Sequence, residues 1–510
     1  MNAEELYQAI TEAPDALVEE AADPALARRG PVRHWKGLVA AALAVAVGLG
    51  GMGLSGLLGG RGFPPGAASG MGGHEDGSLF LSYGGPVFPL TVDGDAAGLR
   101  ADRDLSYDFS GWGTEDRDLA VTDAYTLTNS GDADRDVTLL YPYAGTLTDP
   151  APALTLDGAA LEAEQVLGDY AGGFTGAGSG PLTSVNLAHP RSWEDYKALL
   201  SDGGYLASAL DPKREPVLDQ AVTVYEFSGF AAEYEGAPAA TLAMEFSMDD
   251  AATTVLTYGF DGAAWDEERG WRQCSFFVPQ PGTAWADRPK LVAVVGEDIG
   301  EYTLQGYVDG GCDAPLDGVA AQVERHETTL GQLVDRLARW EVERDDSGLF
   351  LRNGLDSPDQ VPYGLYYRAV CQLLAEYGPL ADGGVERYED GRLDEILSEA
   401  ASMKRVLYLR AQVTIPAGGS VAVSARLDQE GSFDFAGTGG KNQGVYGYDM
   451  VTQVGTALDF GTLTARLEGA GSVEIVRQNY GFDLAGGVTE VVLDPAQEHY
   501  YLEVKARGDG

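Results

Sequence analysis

The chain has 510 residues, 44% of them hydrophobic, and 79 acidic against 34 basic side chains give it a net charge of −45. That length divides over more than one core, and that charge excludes binding of nucleic acid or anionic lipid through the protein's own field. Three cysteines exclude a disulfide-rich scaffold, and the absence of any C-x-x-C leaves thioredoxin-type chemistry and sulfur-ligated zinc without support.

Residues 3–22 read as a short acidic helix. Asn2 stands as its cap, Glu5 sits where a capping-box carboxylate belongs, and Leu6, Ile10, Leu17 and Val18 give it an apolar side. Pro14 breaks or restarts it. The basic cluster Arg28, Arg29, Arg33 and Lys36 follows, with Trp35 at interfacial depth. Next comes a stretch from Gly37 to Gly60 that holds no charge at all. A helix of that length, rising about 1.5 Å per residue, clears a hydrocarbon core of roughly 30 Å. By the positive-inside rule residues 1–36 stay cytoplasmic and the chain after 60 is exported.

A cleaved signal peptide is the competing reading of the same segment. Such a leader has an apolar core of about 7–15 residues and a small-residue cleavage site. Here the run is longer, many residues precede it, and Gly59-Gly60-Arg61-Gly62-Phe63-Pro64 makes a poor cleavage site. An uncleaved anchor fits better. Small residues at four-residue spacing (Gly51, Ser55, Gly59) would let two such helices approach closely, although an anchor that merely tolerates glycine explains them equally. Residues 61–77 form a Gly/Pro-rich tether.

Taking the seven acidic and four basic residues of 1–60 from the totals leaves 72 and 30, a charge of −42, on the exported part. Solubility accounts for such a charge; weak calcium binding by acidic loops is the lesser reading. From residue 78 to about 310, short apolar runs with partial alternation recur at 79–82, 119–128, 136–143, 223–230, 241–247, 253–260, 275–278, 291–295 and 302–308. Turn clusters such as Asn129-Ser130-Gly131-Asp132 punctuate them. The spacing predicts antiparallel sandwiches, interrupted by one helix near 192–200. From 311 to 404 the period changes. Val319, Val323, His326, Leu330, Leu333, Leu337 and Trp340 form one predicted helical stripe; Tyr363, Tyr366, Val370, Leu374 and Tyr377 form a second. Leu393, Ile396, Leu397, Ala400 and Met403 form a third. Strand pattern resumes at 406–415, 421–427, 462–467, 473–477, 488–493 and 500–504.

No motif assigns an activity. His326-Glu327-Thr328-Thr329-Leu330 starts like a zincin helix but lacks the second imidazole, so a core histidine is the better reading. Asp132-Ala133-Asp134-Arg135-Asp136 alternates acids like a calcium loop, yet Val137 and Tyr143 stand where its glycine and bidentate acid belong. An acidic hairpin turn explains it, and Asp102, Asp104 and Asp108 read the same way. Gly176-Ala177-Gly178-Ser179-Gly180 completes neither a nucleophile elbow nor a phosphate loop. Five histidines leave His189 as the one base worth testing for a triad. Trp265, Trp271, Tyr446 and Tyr448 would stack on sugars if exposed, but in β-domains such residues are more often cross-strand partners. Cys274 and Cys312 are able to pair in an oxidising compartment, though their spacing does not require it, and Cys371 falls on a predicted helix as a small core residue.

Glu5-Leu6-Tyr7-Gln8-Ala9-Ile10, then Leu17-Val18-Glu19-Glu20-Ala21, then a basic stop before a membrane helix, is a layout that resembles Firmicute-type single-pass membrane proteins of anti-sigma-factor-like organisation. The resemblance covers about 60 of 510 residues and implies that the cytoplasmic helix docks a soluble partner. The chain departs from anti-sigma factors in lacking their His/Cys cluster. Separately, Tyr125-Thr126-Leu127-Thr128-Asn129 and Val137-Thr138-Leu139-Leu140-Tyr141-Pro142 look similar to strand pairs of immunoglobulin-like sandwiches in exported proteins.

The expectation is therefore a mainly β protein with an α insertion: a single N-terminal transmembrane helix plus antiparallel β-sandwich ectodomain(s). The segments are 1–36 cytoplasmic, 37–60 membrane, 61–77 tether, 78–310 sandwich-like, 311–404 helical and 405–510 β-rich. No catalytic, cofactor or metal residue is assigned. Its expected partners are the membrane, a cytoplasmic protein for residues 3–22 and an unknown envelope ligand. The expected role is binding or sensing at the cell envelope, the alternatives being an anchored wall-glycan hydrolase with an acid pair and a purely structural surface protein.

Overall fold

A computed structural model describes residues 85–113, 117–168, 218–232, 240–280, 286–343, 361–381, 388–403, 405–433 and 443–507. The expected cytoplasmic helix over 3–22, the 37–60 stretch, the expected tether over 61–77, the strand pattern at 79–82, the 176–180 loop, the expected helix near 192–200 and His189 lie outside the described residues. Among the described residues no helix is long and apolar enough to cross a membrane.

Most described elements are strands, and most neighbours run antiparallel. Contacts divide the chain into two compact units. One, here the flanking unit, draws its residues from Gly59–Pro216, Phe350–Arg387 and Ile396–Gly510. The other, the inserted unit, draws its described residues from Val217–Leu349 and Tyr388–Glu395. The boundary at 216/217 lies within the segment 78–310, and strands before it share sheets with strands after 405.

The flanking unit starts with β1 (Pro86–Val87), β2 (Thr91–Asp93), β3 (Leu99–Asp108), β4 (Leu119–Asn129), β5 (Arg135–Gly145), β6 (Ala153–Leu156), β7 (Ala159–Ala160) and β8 (Glu164–Leu167). The inserted unit then supplies β9 (Ala221–Ala232), β10 (Thr241–Ser247), β11 (Thr253–Tyr258), β12 (Gly262–Asp266), β13 (Trp271–Phe277), β14 (Leu291–Gly296), β15 (Tyr302–Tyr307) and β16 (Val319–Thr329), which leads into α1 (Leu330–Glu343). Helices α2 (Tyr363–Gln372), continued by a π turn at Leu373–Tyr377, and α3 (Leu393–Ser402) come next. The flanking unit closes with β17 (Arg405–Ile415), β18 (Ser420–Gln429), β19 (Ser432–Phe433), β20 (Tyr446–Val451), β21 (Asp459–Glu468), β22 (Val473–Gln478), β23 (Glu490–Val492) and β24 (His499–Ala506).

In the inserted unit two four-stranded sheets, β11-β14-β9-β16 and β12-β13-β10-β15, share one core. Tyr225, Phe227, Val292 and Val294 come from the first sheet; Leu242, Met244, Phe246, Cys274 and Phe276 come from the second. Edge-to-face ring pairs tighten it, Phe260 with Phe276 at 5.0 Å and Phe227 with Phe276 at 5.4 Å. The first half of the expected stripe from Val319 to Trp340 is strand, not helix. Residues from Val319 to Thr329 pair with β9 from Ala232 back to Ala221, with one bulge between Ala320 and Gln322. Cross-strand pairing of β-branched Val319, Val323, Thr328 and Thr329 overrides the helical period. Helix begins only where Thr329 Oγ1 accepts from the Gln332 N–H at 3.3 Å, a capping geometry. From there Leu330, Leu333, Val334, Leu337 and Ala338 are buried on one stripe.

Three sheets build the flanking unit: β2-β5-β17-β8, β1-β20-β24-β22 with β19 beside β20, and a seven-stranded sheet ordered β23-β21-β3-β4-β18-β6-β7. The expected antiparallel arrangement is not complete, since β3 runs parallel to β21 and β1 parallel to β20. Each pair joins segments remote in sequence, which is how parallel neighbours are reached without a tight turn. Leu105, Tyr107 and Val121 of the seven-stranded sheet pack with Tyr448, Met450, Tyr500 and Leu502 of the β20–β24 sheet. The remaining helical stripes are observed as helices, with Tyr366, Val370, Cys371 and Leu374 buried on α2 and its π turn.

Candidate functional site

The seven-stranded sheet has one apolar face and one polar face, and alternation along its strands, interrupted by one bulge in β21, produces both. On β3 the residues Leu99, Ala101, Arg103, Leu105 and Tyr107 are buried, while Asp102, Asp104, Ser106 and Asp108 alternate between them on the other side. On β4 the inner set is Leu119, Val121, Asp123, Tyr125 and Leu127, leaving Thr122, Ala124, Thr126 and Thr128 outward. Strand β18 repeats the scheme with Val421, Val423 and Ala425 inside.

Register then sets the outward residues in rows. Thr464 lies opposite Asp104, Asp104 opposite Ala124, Ala124 opposite Ser424, and Ser424 opposite Thr155. In the next row Asp102 faces Thr126 and Thr126 faces Ala422. Where the small residues Ala124, Ala422 and Gly158 meet, the face sinks into a trough of about 490 Å³, with Thr126, Thr155, Ser424, Thr462 and Thr464 around it. Both acids in it are engaged. Asp102 Oδ1 accepts from the Thr462 N–H at 2.7 Å, and Arg466 donates to Asp104 through Nε at 3.2 Å. Arg100 adds a cation 3.9 Å from Asp102. Among the described residues that line the trough the one aromatic is Tyr125, whose side chain belongs to the inward row of β4 and bonds Asp123.

Directly beneath lies a buried ion pair. Arg103 and Asp123 have fully buried side chains and meet through two parallel bonds, Nε to Oδ1 at 2.8 Å and Nη2 to Oδ2 at 2.9 Å. The remaining guanidinium N–H groups reach Val451 O at 2.7 Å, Phe88 O at 3.2 Å and Met450 Sδ at 3.3 Å. Tyr125 and Tyr141 hydroxyls donate to Asp123 Oδ2 at 2.6 and 3.2 Å, and Leu90 N–H donates to the Tyr125 oxygen. Desolvation alone would pull Arg103 down, but neighbouring Asp123 reverses this and holds the guanidinium above its ordinary range. Burial pushes both tyrosines well above theirs. Through these bonds the seven-stranded sheet is tied to Tyr141 of β5 and to the end of β20. The network is a fixed foundation for the trough, out of contact with solvent.

Residues singled out in the sequence are scattered. His326 sits half-buried on β16, opposite Val224, instead of on a helix. Asp132 and Asp134 lie in the turn between β4 and β5, and Asp136 is the second residue of β5; the turn is acidic but not a hairpin, because β4 and β5 belong to different sheets. Asp102, Asp104 and Asp108 are not a turn but one face of β3. Trp265 pairs across strands with Arg272, whose guanidinium lies 5.5 Å from the ring, and Tyr448 is buried with its hydroxyl on Trp112. Cys274, Cys312 and Cys371 are all free thiols. No group of three or more His, Cys, Asp or Glu side chains is placed to hold a metal among the described residues. One pairing was missed: His499 Nε2 lies 3.2 Å from Asp449 Oδ2, with Glu503 held by Arg477 on the same face of β24. Nothing in the sequence brings His499 and Asp449 together, since only the β20–β24 register does.

No family model and no curated protein matches the chain. Among solved structures, a match is the Fcho1 Mu homology domain (Danio Rerio) with bound Eps15 peptide, 13% identical, covering 48% of this chain and 95% of that one. Its TM-score of 0.11 is too low for the likeness to carry an argument.

Proposed function

We propose that this is a membrane-anchored binding protein of the cell envelope. In this reading residues 37–60 hold it in the membrane and the β-sandwich portion is exported. Residues 3–22 contact a cytoplasmic partner. The observation that carries the binding role is the polar outer face of the seven-stranded sheet. It is broad, built from short hydroxyl and carboxyl side chains, and indented by an open trough of about 490 Å³. The reading includes no catalysis, because Asp102 and Asp104 are both committed to Thr462 and Arg466.

Two measurements test it together. Protease added to intact cells is expected to digest the chain beyond residue 60 and spare residues 1–36; the reverse topology overturns the anchor. Affinity capture from crosslinked membranes then compares the full chain with one lacking residues 2–27. Loss of a cytoplasmic protein with the deletion supports the signalling arm, and retained capture removes it.

A further inference from the structure

The trough is lined by chemistry that narrows its ligand, and the narrowing rests on the binding role just proposed. Inter-strand spacing of about 4.8 Å and a two-residue repeat of about 6.7 Å set its side chains on a regular grid. Four positions on that grid, Thr126, Thr155, Ser424 and Thr464, and Thr462 in the bulge of β21 carry hydroxyls that both donate and accept. Its outward-facing apolar groups are no larger than alanine methyls, so a lipid chain or an apolar peptide finds no burial there. Each acid has an arginine beside it, Asp104 with Arg466 and Asp102 with Arg100, so the local charge is balanced and a polycation gains little. An anionic polymer is disfavoured by the −42 of the chain beyond residue 60.

What remains is a ligand that is uncharged and carries many hydroxyl groups. We infer that the trough binds a neutral glycan strand, through hydrogen bonds to its ring hydroxyls and without an aromatic platform. Ala124 and Ala422 supply the floor on which a sugar ring rests, and the threonine and serine hydroxyls at its sides bond the ring edges.

Calorimetric titration of the full chain with cellohexaose, chitohexaose and maltohexaose, against polyphosphate and poly-lysine, tests this. At least one neutral hexasaccharide is expected to bind, with affinity nearly independent of salt. Ala422→Trp, at an exposed position that fills the trough, is expected to weaken it by about tenfold or more with the melting temperature unchanged. Ser424→Ala, which removes one of the lining hydroxyls, is a second variant expected to lower affinity. Binding of only the charged polymers, no binding of any probe, or a neutral glycan bound equally well by Ala422→Trp overturns the inference. If capture on cells returns an envelope component other than a glycan, the binding role stands and the glycan assignment alone fails.

Discussion

At the scale of single residues, the Arg103–Asp123 pair is the point where the flanking unit is most vulnerable. Replacing a buried pair by apolar side chains is often near neutral, but removing one partner strands a charge in the core. Asp123→Ala is therefore expected to cost about 3–5 kcal/mol in urea unfolding, and the double variant Arg103→Met/Asp123→Leu to recover much of that. A double variant as unstable as the single one would show that the tyrosine hydroxyls, not the charge, set the penalty. Lys290 of the inserted unit offers a pH signature. Burial draws its ammonium down to about 8, although its Nζ donates to Gly259 O at 2.8 Å. In the unfolded chain the same group titrates near its ordinary value of 10.5. A base depressed in the folded state opposes folding below about 8, and stability rises from there to about 10.5 as the folded form sheds its proton first. Lys290→Met is thus expected to be more stable than the parent near pH 7, by up to about 3 kcal/mol. The gap should close as pH rises past 10. Melting temperatures of both proteins across that range decide it; a constant gap would refute the burial argument.

At the scale of elements, backbone geometry fixes how Tyr388–Glu395 sits on the inserted unit. Thr257 N–H donates to Gly391 O at 2.9 Å, and Gly391 has φ +71° with Val255 O so close that an added Cβ would fall 2.1 Å away. Arg288 reaches Asp394 at 3.8 Å and Glu341 at 3.2 Å from the same side. Gly391→Ala combines left-handed strain of about 1–3 kcal/mol with that clash, so faster proteolytic cutting near residue 390 is the expected result. Unchanged protection would mean that the Arg288 ion pairs alone hold the segment. Elements of this kind also mark what a sequence can convey. Strands β4, β5, β10 and β14 were legible because clean alternation or a buried run specifies them without reference to partners. Strand β3 was not, because Arg103 occupies the centre of its apolar row and its outward acids imitate a turn. Only the arrival of Asp123 makes an arginine acceptable there. For the same reason the trough was invisible: it exists where β3, β4, β18 and β21 lie side by side, and no local pattern records that register. The strand-to-helix change at Thr329 was hidden because Val319 to Trp340 satisfies a helical period throughout, and pairing with β9 decides the first half.

At the scale of the whole molecule, two units with separate cores imply separate melting. Scanning calorimetry of the full chain is expected to show two transitions, with a calorimetric enthalpy exceeding the van't Hoff value. Lys290→Met should move one of them and Asp123→Ala the other. A single transition shifted by both variants would show that the units unfold as one. The mainly β character came through from composition and periodicity, while the pairing of β3 to β5 with β17, β18 and β21 did not, since register over such separations has no sequence signature.

That long-range pairing has a consequence for how the protein is made. Residues of β3 to β5 leave the ribosome hundreds of codons before β17, β18 and β21, the strands that complete their sheets. The inserted unit reaches nearly all of its strands by Thr329 and is positioned to fold while the flanking unit still waits with open edges. Chains cut short before residue 405 then carry the β3–β4 and β2–β5 pairs with open edges, which are templates for aggregation. Strands β17, β18 and β21 thus close the sheets that β3 to β5 begin.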